Sequence, residues 1–118
     1  MRNDKDNLIV KLTFEFALEI ISFSEEIRKT NRFEMASQIF RSGTSIGANI
    51  REAQNAESKA DFIHKLSIAL KEANETEYWL DLLYETKYLS QIEFENIKPN
   101  IIELLKLLTS IINTSKTK

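Results

Sequence analysis

The chain spends almost nothing on residues that interrupt helices. Its 118 residues include two glycines, Gly43 and Gly47, and one proline, Pro99. Tight turns draw on glycine and proline for backbone conformations that other residues avoid. A chain this poor in both is expected to have few turns and long elements between them. The apolar spacing says which elements these are. Ile9, Leu12, Phe16, Ile20, Phe23 and Ile27 recur at steps of three and four, the mark of one helix face. Met35, Ile39, Ile46, Ile50 and Ala53 repeat the pattern. So do Phe62, Leu66, Ala69, Ala73, Thr76, Leu80 and Leu83, and then Ile97, Ile101, Leu104, Leu108 and Ile111. Helices are predicted at about residues 7–29, 32–55, 59–88 and 91–113.

The breaks carry start signals. Asn31 with Glu34 makes an imperfect capping box, Ser58 with Asp61 an S-x-x-D cap, and Ser90 with Glu93 an S-x-x-E box. Pro99 lacks a backbone donor and clashes with the preceding turn, so a kink or break is expected there. The tail, NTSKTK, is expected to fray. Four helices with short breaks make an all-α chain, an antiparallel up-down-up-down four-helix bundle, as a single domain over residues 1–118.

The two glycines lie four apart in RSGTSIGANIREA, residues 41–53. A phosphate loop needs a different spacing, a lysine and a preceding strand. A membrane-type glycine pair needs apolar surroundings, and Arg41, Arg51 and Glu52 exclude them. Helical phase puts both glycines on the side of Ile39, Ile46 and Ile50, facing the core. Each costs about 1 kcal/mol of helix propensity against alanine. Close approach of a neighbouring helix, with a bulky aromatic side chain in the gap, is the expected compensation. On the opposite side Arg41, Thr44, Ala48 and Arg51 line up, as a solvated face, a subunit contact or a basic binding surface.

Several helices carry more apolar residues than one bundle core needs, about three positions per heptad. Val10, Phe14, Ala17 and Ile21 form a second stripe on the first helix. Ile63, Ile68, Tyr78, Trp79 and Leu82 are surplus on the third, and Ile102, Leu105 and Ile112 on the fourth. Exposed apolar patches mark protein interfaces, so a homo-oligomer is expected. A broad core with scattered surface apolar residues is the alternative.

Composition removes other classes. Hydrophobic residues make up 42% and charged residues 29%, as in a globular protein. There is no cysteine, which excludes disulfides and thiolate metal sites. The opening MRNDKDN leads into no secretory apolar run. No apolar stretch is long enough to span a membrane, so a cytoplasmic location is expected. The net charge of −2 argues against a dedicated nucleic-acid binder but leaves room for a local basic patch.

Candidate chemistry is sparse. His64 is the only histidine, and with Asp61 it makes one D-x-x-H. A carboxylate-bridged metal pair in a bundle needs two such motifs. Glu72, Glu75, Glu77, Asp81 and Glu85 read as a solvated face, with ion pairs expected between Lys71 and Glu75 and between Asp61 and Lys65. No nucleophile, base and orienting group fall together. The expected protein is therefore not an enzyme and takes no cofactor, metal or small-molecule substrate. Arg28, Lys29 and Arg32 cluster at the first junction, where cations also suit the helix dipole. An oligomer would repeat the cluster as a ring able to attract phosphates. With Arg41 and Arg51 these are the candidate nucleic-acid-binding residues.

The stretch RSGTSIGANIREAQNAESKADFIHKLSIALKEANETEYWLDLL, residues 41–83, resembles the signature of the bacterial 23S rRNA intervening-sequence proteins. The pattern is S-I-x-x-N-I-x-E at Ser45–Glu52, S-x-x-[DE]-F at Ser58–Phe62, and the I-A-L-x-E-A-x-E-T-x-x-W-L run at Ile68–Leu80. Ala53 stands where many relatives carry glycine. The resemblance implies a four-helix bundle, ring-like homopentamers and no enzymatic activity. Some such proteins are encoded within insertions in 23S rRNA genes. A related branch, the accessory proteins of diversity-generating retroelements, binds nucleic acid and a reverse transcriptase. Two functions are thus expected to compete: a homo-oligomeric scaffold associated with RNA or DNA, and a protein–protein adaptor with no nucleic-acid binding.

Overall fold

The computed structural model describes residues 4–117, with side chains from Leu8 onward. Four helices follow one another: α1 (Asp4–Arg28), α2 (Phe33–Ala53), α3 (Lys59–Glu85) and α4 (Gln91–Lys116). There is no strand among the described residues. The pairings run rising numbers against falling ones. Gly43 packs on Ile20 and Gly47 on Thr13; Glu52 reaches Lys65; Tyr84 stacks on Phe94 while Glu77 meets Lys98; Glu19 meets Asn100. Each helix therefore lies antiparallel to the next, and α4 returns to α1. The fold is an all-α four-helix bundle, about 46 × 22 × 18 Å.

The core is the one the spacing predicts. Ile9, Ile20, Ile39, Ile46, Ile50, Leu66, Leu80, Leu83, Ile101 and Leu108 are fully buried. Leu12, Phe23, Met35 and Phe62, also predicted there, are partly buried at its margin.

The helix ends differ in how well they were foreseen. Ser58 accepts from the Asp61 amide at 3.0 Å. Ser90 and Glu93 form the full reciprocal capping box. Asn31 does not cap α2: the N-cap is Arg32, without a side-chain hydrogen bond. Asn31 instead sits at φ 66°, in the left-handed region where a chain leaves a helix. Its short polar side chain suits both positions, and here it closes α1. The α3 end holds the same conformation at Lys87, φ 69°. Lys87 N donates to Tyr84 O at 3.0 Å and Tyr88 N to Leu83 O at 2.9 Å, the paired bonds of a Schellman ending.

Pro99 does not break its helix; α4 continues through it. Pro99 and Glu95 are both exposed, so the Glu95 carbonyl that loses its helical donor lies on the solvent side, where water can serve it. The tail does not fray at Asn113 either. Helix continues to Lys116, held by the burial of Ile111 and Ile112 in the turn before.

Candidate nucleic-acid and assembly surfaces

The five candidate basic residues fall in two places. Arg28, Lys29 and Arg32 sit together at the α1–α2 turn, and the α3–α4 turn lies beside them, as antiparallel topology requires. Arg32 joins the two turns. Its guanidinium stacks on the Tyr88 ring, 3.8 Å from the centroid, and donates to Thr30 O at 2.7 Å. Its Nε is buried with no partner. Arg32 thus acts chiefly as a clasp, and the open cations of this end are Lys29, partly engaged by Glu26 at 3.0 Å, and the half-buried Arg28. Lys87, exposed in the neighbouring turn, adds a third.

Arg41 and Arg51 lie elsewhere, on the outer face of α2. About 27 Å of helix rise separates the start of α2 from Arg51. Both are exposed. Arg51 leans over the Phe14 ring, 5.8 Å from its centroid. Thr44 and Ala48 lie between them, as the spacing predicts. With Gly47, Val10, Thr13 and Ala17 they floor a shallow groove of about 290 Å³ along the α1–α2 seam.

The apolar surplus is redistributed. On α4, Ile112 is buried and Ile102 and Leu105 are half-buried; on α3 only Tyr78 of the surplus set is exposed. The bundle absorbs these because side chains flanking a seam pack against the next helix. Phe14, Leu18, Ile21, Phe33 and Phe40 are exposed along α1 and α2, while Leu8 near the start of α1, Tyr78 on α3, Tyr88 in the α3–α4 turn and Ile92 on α4 are exposed as well. Phe33 and Phe40 were not foreseen. They are seven apart, which puts them on one helix face, and that spacing alone gives them away.

The glycines make this seam close. A Cβ on Gly43 would lie 2.7 Å from Cγ2 of Ile20, and one on Gly47 3.3 Å from the Thr13 carbonyl oxygen. The occupant of the gap is an aliphatic side chain and a helix backbone, not an aromatic ring. Isoleucine branches at Cβ and fills a shallow space between close helices, where a ring would hold them apart.

The remaining polar residues hold the bundle. Lys98 on α4 binds Asp81 and, at 3.2 Å, Glu77 on α3. Burial lowers the Lys98 pKa, but its hydrogen bonds to Asp81 and Glu77 and their charges more than offset that, leaving it raised above 10.5. These two carboxylates are therefore structural partners and not a free solvated row. Burial also raises the Glu72 carboxyl, with Glu75 adding to the effect and Lys71 and Arg41 opposing it. Lys65 pairs across to Glu52 at 3.0 Å instead of back to Asp61. Asp61 accepts from the Glu57 amide at 3.2 Å, and His64 is exposed. No cluster of three metal-ligating side chains exists among the described residues. No described helix is long and apolar enough to cross a membrane.

Close glycine-mediated packing of α1 on α2, heptad-like α3 and a clasped turn end define a compact antiparallel four-helix bundle. The chain belongs to the 23S rRNA-intervening sequence protein family, whose model matches residues 5–110. It is similar to a protein of unknown function from the S23 ribosomal protein family of Bacteroides thetaiotaomicron VPI-5482, whose crystal structure is solved at 1.70 Å. The two are 53% identical, the match covers 92% of this chain and 98% of that one, and the TM-score is 0.89. No curated protein matches the chain.

Proposed function

We propose that this protein is a non-enzymatic, homo-oligomeric bundle that serves as a scaffold associated with nucleic acid, rRNA by the family's name. The observation that carries the reading is the exposed apolar face of Phe14, Leu18, Ile21, Phe33 and Phe40. Five large apolar side chains along one seam are what a monomer avoids and a subunit interface needs. Assembly then repeats the basic turn end. One protomer offers Arg28, Lys29 and Lys87, too few cations for firm phosphate binding; several protomers offer a ring of them.

The apolar face also suits an adaptor that binds protein alone, and the acidic net charge of −2 favours that second reading. Binding to structured RNA at 50 mM salt separates the two. The scaffold reading expects affinity that falls steeply as salt rises and drops again in Arg28→Glu/Lys29→Glu. Absence of binding at low salt, or binding indifferent to that charge reversal, leaves the adaptor. Light scattering at micromolar concentration tests assembly in either case, and a stable monomer overturns it.

A further inference from the structure

The α3–α4 turn carries surface that neither the bundle core nor the apolar residues of α1 and α2 use. Lys87, Tyr88, Ser90, Gln91 and Ile92 are exposed there, and Leu89 alone turns into the core. Ile92 is 73% exposed, the most of any large apolar side chain described. Lys87 has no ion-pair partner among the described residues. In the same turn Tyr84, Lys87, Ser90 and Gln91 line an open hollow of about 450 Å³.

Tyr88 is held there as a fixed platform. The Arg32 guanidinium lies 3.8 Å from the ring centroid, and the Thr30 carbonyl fixes Arg32 in turn at 2.7 Å. Keeping that stack leaves Arg32 Nε buried without a partner, which is a cost. With the cation set over the ring, 42% of Tyr88 is still exposed. A ring immobilised before its partner arrives loses little entropy on stacking. Unpaired bases stack on aromatic rings of this kind, whereas a duplex keeps its bases stacked on one another inside.

The charges of this end point the same way. Arg28, Lys29, Arg32 and Lys87 are offset by Glu25, Glu26, Glu34, Glu85 and Glu93 in the adjoining helix turns. Duplex binding rests on neutralising phosphates, which so balanced a surface does poorly. Stacking draws on the ring itself. We propose that the turn end takes unpaired nucleotides, with a base stacked on Tyr88 and Lys87 on an adjacent phosphate. This rests on the nucleic-acid reading and assigns it a substrate class, single strands and loops in preference to duplex. Arg32 is then a positioning residue, since it acts through the ring.

Fluorescence anisotropy with an unstructured RNA strand and with an RNA duplex of equal length, at one low salt concentration, tests the assignment. The strand is expected to bind more tightly than the duplex. Tyr88→Ala is expected to weaken strand binding by about 5- to 100-fold, the range for one lost stack, and to leave duplex binding unchanged. Tyr88→Phe keeps the ring and is expected to retain wild-type affinity. A second measurement uses the unaltered protein, so that misfolding of a variant does not decide the matter. Ultraviolet crosslinking of a strand carrying iodouridine is expected to attach at Tyr88. Equal affinity for strand and duplex, full strand affinity in Tyr88→Ala, or crosslinks only elsewhere overturns the stacking assignment while nucleic-acid binding stands. If neither polymer binds, both readings fall. Attachment to vesicles of anionic lipid in that case gives the exposed Tyr88 and Ile92 to a membrane surface instead.

Discussion

At the scale of single residues the tightest constraint is the meeting of Gly43 and Ile20. A methyl group at Gly43 would lie 2.7 Å from one branch of Ile20, 2.8 Å from the other and 3.1 Å from its Cβ. The clash is with the stiff base of a β-branched side chain, so rotation does not relieve it. Gly43→Ala is expected to lose about 1–3 kcal/mol by overpacking, against a gain of about 1 kcal/mol in helix propensity. Net destabilisation follows, read by urea denaturation. In an Ile20→Ala background the obstructing branches are gone, and the same change should become neutral or stabilising. A double-mutant cycle without coupling would show that the gap has another cause. The phase of the glycines was legible in the sequence for Gly43, which is buried beside Ile39, Ile46 and Ile50. Gly47, by contrast, is half-buried and shares an open groove with Thr44, Ala48 and Arg51, the residues expected on the opposite side. The α1 neighbours of both were not legible, since sequence spacing does not say which residue of α1 comes opposite. Asn31 was misread for a related reason. Asparagine both opens helices and tolerates the left-handed conformation that closes them, and only the backbone decides.

At the scale of elements, α4 carries the sharpest conflict between sequence and structure. Pro99 predicts an interruption, yet the helix is continuous because the proline lies on its solvent side while Ile97 and Ile101 remain buried. Tertiary packing of the apolar face outweighs a local cost of about 3 kcal/mol. Pro99→Ala is therefore expected to raise stability by about 1–3 kcal/mol, seen as a higher urea midpoint with unchanged slope. The α3–α4 pair is joined by Lys98 between Glu77 and Asp81, side chains that are 20%, 29% and 48% exposed. Lys98→Met leaves two carboxylates without their cation and should cost about 1 kcal/mol at neutral pH, as partial exposure screens the charges. The pH dependence has a definite sign. The folded pKa of Lys98 is raised above 10.5, so its contribution is complete below pH 10.5 and is lost as pH rises through the folded value. Stability of wild type minus that of the variant should thus be flat from neutral pH up to 10.5 and shrink above it. A difference that instead vanished at pH 5 would assign the effect to other groups. Periodicity revealed both helices, but the partner of Lys98 depended on register between them, which no local pattern encodes.

At the scale of the whole molecule, the four helices, their order and nearly all of the core were readable, because each helix repeats its apolar residues along one face. What the spacing did not give was the distribution of surplus. A flank residue such as Ile102 looks identical in sequence to Phe14, yet one is half-buried between helices and the other stands 52% exposed. That difference arises only when the bundle closes. Bundle closure also separates Arg41 and Arg51, on the exposed side of α2, from Arg28, Lys29 and Lys87 at the turn end. The two groups should behave differently. Salt dependence of RNA binding counts the phosphates neutralised, with a slope of about −0.7 to −0.9 per contact. A ring presents several turn ends to one RNA, while a monomer presents one. On the proposed scaffold reading, the variant Phe14→Asp/Phe40→Asp, with its apolar ridge broken, keeps every cation of the turn end and is expected not to assemble. Its slope of log affinity against log salt should therefore fall to a fraction of the wild-type value, although its basic residues are intact. Arg28→Glu/Lys29→Glu should flatten the slope to a similar extent with assembly unchanged. If the ridge variant were monomeric yet bound RNA with the full wild-type slope, the phosphate contacts would belong to single protomers, and assembly would have no part in recognition.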